Sequence, residues 1–331
     1  MDKLLTYTHS PHVKAPNSTR KIMIKVIIAL LPACIMGVIY FGLNALLLLL
    51  TSLVFAVLSE YVYLLICGQS LKEITKNFDF SSCVTGILIA LCMGSQTPLY
   101  APALASVFAI VVVKMIFGGT GKNIVNPAIA GRVFAFMSFT SVMASGWVLP
   151  SIPAIFGSNS SLPTTGATVL TNAFANQLDF SSISVLDLLL GTGLAGCIGE
   201  TCKVALIIGG IFLAVTKVIN ILYPLIYIAV AGLFSVMLGG FNFALFLPSI
   251  LSGGLILGAI FMATDYTTTP NTTLGNVIYF VLLGLITTGL RFATKIETVS
   301  FAILLMNLIV PLIDKFIINR PFGYKKIKEA K

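Results

Sequence analysis

Val185-Leu186-Asp187-Leu188-Leu189-Leu190 runs directly into Gly191-Thr192-Gly193-Leu194-Ala195-Gly196-Cys197-Ile198-Gly199-Glu200-Thr201. The first piece is apolar but far shorter than the ~20 residues a bilayer requires. Glycines interrupt the second piece, and the two acids Asp187 and Glu200 stand near either end of the stretch. Short, glycine-broken apolar pieces that end in an acid read as a broken or re-entrant helix. Such backbone is tolerated at membrane depth only where protein or a cavity covers it. The stretch therefore predicts an all-α polytopic membrane protein with broken segments.

Composition points the same way. Of 331 residues, 57% are hydrophobic and 9% charged, and the mean hydropathy is +1.03. Soluble domains carry about 25% charged residues, so no water-soluble fold hides this much apolar surface. Working outward from residue 185, the apolar segments are 26–41, 45–66, 81–93, 103–117 and 127–144 upstream. The broken stretch continues to 215, followed by 222–238, 243–263, 274–290 and 301–318. That is about ten spans. The expected division is a cytoplasmic tail at 1–25, a membrane domain at 26–318 and a second cytoplasmic tail at 319–331. The first twenty or so residues are polar and show no cleavable signal peptide.

The formal net charge of +9 sits at segment ends, so it reports orientation and not nucleic-acid binding. Lys3, Lys14, Arg20 and Lys21 precede the first span, and Lys325, Lys326, Lys328 and Lys331 follow the last. Both termini are thus expected in the cytoplasm of a bacterial inner membrane, with the loop 146–184 outside. Arg291 and Lys295 fall outside, against the charge rule, while Glu60 reads as a solvated residue near the inner interface. The six cysteines lack metal spacing, and only Cys197 with Cys202 stands out as a pair. Gly86–Met93 loosely echoes Gly254–Met262, which suggests two inverted five-helix halves.

Three turns carry candidate chemistry. In Gly118-Gly119-Thr120-Gly121-Lys122-Asn123-Ile124-Val125-Asn126-Pro127, glycines allow close backbone approach, and Asn126 with Pro127 makes a good helix start. No Ser or Thr follows Lys122, so this is not a Walker A loop. Gly118, Gly119 and Lys122 read either as a phosphate cradle or as a capping loop. The second turn is Thr264-Asp265-Tyr266-Thr267. The third, Thr165-Gly166-Ala167-Thr168, lies in the long uncharged part of the outer loop and by composition alone is an ordinary turn. A carboxylate at mid-bilayer costs roughly 3 kcal/mol on insertion scales. Asp187, Glu200 and Asp265 therefore read either as an ion pathway or as caps and partners of Arg132 or Lys203.

Taken together, Phe117–Ala128, Thr165–Thr168, Gly196–Thr201 and Phe261–Tyr266 resemble the D subunit of the Rnf electron-transport complex, a family that includes the B subunit of the sodium-pumping NADH:quinone reductase. The stretch Ile303–Asp314 extends the resemblance over nearly the whole chain. It implies an integral membrane flavoprotein with FMN on Thr168 through a phosphoester, made by an extracytoplasmic flavin transferase that recognises Thr165, Gly166 and Ala167. The family motif often has an Asp six residues before the acceptor, where this chain has Leu162. The resemblance also implies a second, non-covalent flavin (riboflavin) near Asn123 and Asn126. The implied partners are the A, B, C, E and G subunits of the complex. The implied activity is redox-driven Na+ or H+ pumping in a ferredoxin:NAD+ oxidoreductase, in which this subunit is not catalytic alone. A small-solute channel fits the same helices, as does a scaffold that only braces a redox partner. Bound flavin separates both from the electron-transfer reading.

Overall fold

In the computed structural model, residues 18–145, 147–150, 184–191 and 195–318 are described. Ser18 caps α1 (Thr19–Phe41), accepting from the Lys21 N–H. The helix starts ahead of the apolar run expected from residue 26, because a capped helix continues through Arg20 and Lys25 beyond its hydrocarbon segment. Gly42, at φ 67°, turns the chain straight into α2 (Leu43–Ile66). A capping box of Ser70 and Glu73 opens the short α3 (Leu71–Asn77). Then come α4 (Ser81–Leu91) and α5 (Tyr100–Val107), the latter running on as a π-helix over Phe108–Met115. The expected 127–144 span divides at Phe139 into α6 (Pro127–Ser138) and α7 (Thr140–Ser145).

The second part of the chain begins with α8 (Val185–Leu190), too short to span, as its sequence suggested. A non-helical strap leads from Ala195 to α9 (Lys203–Val215), followed by α10 (Leu222–Leu238). A bent pair comes next: α11 (Phe246–Leu251), entered through a tight turn at Phe243–Leu245, and α12 (Leu255–Leu257), which runs on as a π-helix over Gly258–Met262. The two pieces meet at 67°. Finally α13 (Thr273–Thr294) and α14 (Val299–Phe316) close the bundle.

Among the described residues, four helices (α1, α2, α13 and α14) are long and apolar enough to cross a membrane, or five if the bent pair counts as one span. Four more apolar segments, including α4 and α9, are shorter. The architecture is thus all-helical with broken segments. On α2, Leu43, Leu50, Val54 and Leu58 face outward, while Ser52 is buried and donates to the Gly86 carbonyl at 2.7 Å. Apolar outside and small polar groups inside is the pattern of helices packed in lipid. The glycines explain the close crossings. A Cβ on Gly86 would stand 3.0 Å from the backbone of α2, and one on Gly209 would strike the Ala29 carbonyl of α1. Accordingly α2 packs on α4 and α5, α10 on the bent pair and α13, and α1 on α9.

The chain alternates between two ends of the bundle. We call the end where α1 begins proximal and the other distal. The strap joins the two parts at the distal tip of α4. The Ile198 and Gly199 N–H groups donate to the Met93 and Leu91 carbonyls at 3.0 and 2.7 Å.

Candidate functional site

Two cavities lie at opposite ends. The proximal one, about 110 Å³, is lined by Lys114, Asn123, Asn126, Asp265 and Thr267 among others. Asn126 caps α6, accepting from the Ala128 N–H at 2.9 Å, and its amide donates to the Met262 carbonyl at 3.1 Å. This side chain therefore ties the start of α6 to the end of the bent pair. Asn123 donates to Thr267 Oγ1 at 2.9 Å, and Thr267 Oγ1 donates in turn to Asp265 Oδ2 at 3.0 Å. The two turns singled out in the sequence thus meet across 144 residues of chain. Gly118, Gly119 and Gly121 all take positive φ, at 107°, 90° and 92°. The loop they form is at the rim: Gly118 and Lys122 are exposed, and the Lys122 side chain folds back over Gly118. These residues form the outer part of the loop that leads into the Asn126 cap.

Beside this cavity sits a cluster the sequence did not reveal. Lys114 Nζ donates to Glu60 Oε1 at 2.9 Å and to Ser81 Oγ at 2.6 Å. Both side chains of the pair are over nine-tenths buried, which corrects the expectation that Glu60 is solvated. Asp79 Oδ1 accepts from the Ser81 N–H at 2.9 Å and its hydroxyl at 2.5 Å, capping α4. Burial pushes the Asp79 carboxyl up, but Lys114 and the hydrogen bonds from Ser81 and Thr120 outweigh it and hold the group below its ordinary value.

The distal cavity, about 170 Å³, has a charged floor of Arg132, Glu200, Lys203 and Glu297 under apolar walls that include Phe136 and Trp147. Arg132 donates to Ser300 Oγ at 2.7 Å and approaches Cys197 Sγ at 4.0 Å. Glu200 Oε1 accepts from the Cys197 N–H at 3.0 Å, while Lys203 Nζ donates to the Glu200 backbone carbonyl. Glu200 is therefore a turn-closing carboxylate facing a cavity, and its side chain forms no ion pair with Lys203 or Arg132. Arg291 donates through one nitrogen to both Glu297 oxygens, at 3.1 and 2.9 Å, and reaches the Ser249 and Ser252 carbonyls. Arg291 is buried in protein, so it does not count in the charge rule it seemed to violate.

The remaining expected residues divide plainly. Asp187 Oδ2 accepts from Ser184 Oγ at 2.6 Å and the Asp187 N–H donates back to that oxygen, which makes it part of a helix cap. Cys197 donates to the Cys92 carbonyl at 3.1 Å, so its neighbour is on α4 and not Cys202. Thr165, Gly166, Ala167 and Thr168 lie outside the described residues. The chain enters and leaves that segment beside the distal cavity, where Met143, Trp147 and Leu188 line the wall.

A model of the NQR2, RnfD, RnfE family matches residues 6–323. The chain belongs to that family. Among similar proteins is the D subunit of the Na+-translocating ferredoxin:NAD+ oxidoreductase complex of Acetobacterium woodii, 40% identical over 99% of this chain and 98% of the relative. The D subunit of the proton-translocating ferredoxin:NAD+ oxidoreductase complex of Clostridium ljungdahlii is 34% identical over 98% of this chain and 97% of the relative. The D subunit of an ion-translocating oxidoreductase complex of Alcanivorax borkumensis is 30% identical over 97% of each chain. Family members of similar length therefore carry names with different coupling ions.

Proposed function

We propose that this chain is the flavin-carrying membrane subunit of an ion-translocating ferredoxin:NAD+ oxidoreductase, a translocase that works only with its other subunits (A, B, C, E and G in the Rnf scheme). The observation that carries the proposal is the family match across residues 6–323. Beneath it stand two cavities at opposite ends of one bundle. Thr168 holds FMN through a phosphoester, placed there by an extracytoplasmic transferase that reads Thr165, Gly166 and Ala167. Both termini are cytoplasmic, and the bundle comprises ten spans in two inverted halves. The parallel packing of α2 with α4 and α5, and of α10 with the bent pair and α13, supports that repeat.

When bound, flavin supplies one- and two-electron transfer; the protein fixes its place and its potential. At the distal end, flat aromatic walls over a charged floor suit a ring with an apolar and a polar edge. At the proximal end, riboflavin rests against Asn123 and Thr267, with Asn126 holding the turn in place and Gly118, Gly119 and Lys122 forming its rim. Glu200 and Asp265 each border a cavity, Glu200 beside Glu297, and are positioned to feel a change of flavin charge. Asp187 stands at the edge of that path.

The test is direct. The chain, expressed with its transferase and run on a denaturing gel, is expected to fluoresce under ultraviolet light, and Thr168→Val is expected to be dark. A dark wild-type band beside a fluorescent control protein would leave a channel or a scaffold as the function.

A further inference from the structure

At the proximal end, α3 joins the end of α2 to the start of α4. Ile74 is its buried residue, and Lys72 and Lys76, one turn apart, are exposed. Glu73 is held in the capping box with Ser70. The aromatics around this junction form a row. Tyr61 lies against Phe78 with ring centres 5.6 Å apart, and Phe78 meets Phe80 edge-on at 5.0 Å. The Arg20 guanidinium, in the first turn of α1, closes the row 5.2 Å from the centre of the Phe80 ring. Phe80 takes φ 64°, a left-handed conformation rare for a bulky residue, and its ring stands between Arg20 and Phe78. The ring fixes the cation by cation–π attraction and leaves its charge in place. Asp79, the neighbour of Phe80, turns to Ser81 and Lys114 instead. Among the described residues the ion pairs are Lys114–Glu60 and Arg291–Glu297, so Arg20, Lys72 and Lys76 are bonded to no carboxylate there. Beside them the chain shows bare hydrocarbon, with Ile66 80% and Leu71 59% exposed.

We infer that this corner of the proximal face seats the headgroup of an anionic phospholipid. Aromatic rings and basic side chains at the ends of membrane helices mark the depth at which headgroups begin, and the row Tyr61, Phe78 and Phe80 sets that depth here. A guanidinium held flat on a ring keeps its forked donors for phosphate oxygens, so Arg20 takes the phosphodiester. Lys72 and Lys76 add the attraction of a basic surface for a net negative headgroup. A free phosphate ester answers the charge but has no use for Ile66 and Leu71, whereas acyl chains lie along both. The bound lipid ties the start of α1 to the junction of α2 and α4.

The experiment is native mass spectrometry of the full chain in a neutral detergent, with phosphatidylglycerol or phosphatidylcholine of the same acyl chains added. Phosphatidylcholine carries the same phosphate beside a cation, so it reads the effect of net charge. The chain is expected to keep phosphatidylglycerol under activation that strips phosphatidylcholine. Arg20→Gln is expected to weaken that retention about fivefold, the effect of one basic residue at an anionic surface, and Lys72→Gln with Lys76→Gln to weaken it further. Arg20→Lys, which keeps the charge and loses the fork, is expected to fall between Arg20→Gln and the wild type. Lys295→Gln, at an exposed basic position on the distal end, is expected to change nothing. Equal retention of the two lipids, or phosphatidylglycerol held as tightly by Arg20→Gln as by the wild type, would overturn the inference. Displacement of the lipid by an equal concentration of its deacylated headgroup, glycerophosphoglycerol, would overturn it in favour of a soluble phosphate ester. Loss of a copurifying subunit from the Arg20→Gln complex, with lipid retention unchanged, would overturn it in favour of a protein partner.

Discussion

The two ends of the bundle are built on one plan and finished differently. At the proximal end the last turn of the α5 segment supplies Lys114, which reaches back to Ser81 at the start of α4 and pairs with Glu60. At the distal end the last turns of α13 supply Arg291, which reaches back to the bent pair at Ser249 and Ser252 and pairs with Glu297. A carboxylate caps a helix piece in each: Asp79 at α4, and Glu297 through the Gly254 N–H at α12. The proximal pair is sealed, with side chains 3% and 9% exposed, whereas Glu297 is 19% exposed and opens onto a cavity. One end encloses its ion pair. The other leaves its paired carboxylate open to a cavity that Arg132, Lys203 and Glu200 also line.

Breaking the sealed pair is expected to have the largest effect. Glu60→Ala takes away the carboxylate that pairs with buried Lys114 and leaves it only the more distant Asp79; loss of about 3–5 kcal/mol is expected, read as thermal stability in detergent. Glu60→Leu with Lys114→Met should restore most of it, since a buried pair and an apolar pair of similar volume are often equivalent. At the distal end, Gly253 sits at φ 68°, and a Cβ there would collide with the Glu297 carboxylate. Gly253→Ala is expected to cost about 2 kcal/mol and to loosen Glu297, read as a lower melting temperature in detergent. Asn126→Ala removes a cap and the tie to Met262; a loss of about 1–2 kcal/mol is expected, read as thermal stability in detergent. The smallest effect concerns acid. The carboxyl of Asp79 titrates lower in the folded chain than when unfolded, so its contribution is full at neutral pH and lost as pH falls below about 4. Asp79→Asn should flatten that part of the pH–stability curve and leave the neutral region lower throughout.

Much of the fold is legible in the chain. Broken apolar pieces around Gly191 announce re-entrant backbone, and Asn126-Pro127 announces a helix start. Asn123 and Asp265 are each visible as turn residues, though nothing in their spacing says that Thr267 joins them. Charged residues are less legible. Hydropathy places a lone acid such as Glu60 at a solvated interface, because the partner that buries it, Lys114, is 54 residues away. Arg291 reads as a loop charge because the carbonyls and the carboxylate that enclose it are set by the fold. Spacing pairs Cys197 with Cys202, but the strap carries it to α4. The loop around Thr168 has no hydropathy pattern of its own, and only its resemblance to family motifs singles it out.

The strap has a mechanical consequence. Its amides at Ile198 and Gly199 are pinned to carbonyls at the tip of α4, and α1 and α9 cross at the contact of Gly209 with Ala29. The two parts of the chain are fastened at these points, and any rocking of one against the other has to break or carry along those contacts. Amide exchange at residues 198 and 199 should therefore stay slow through turnover. A frame fastened in this way carries load at the tip of α4, where a change in one part of the chain is felt at once by the other.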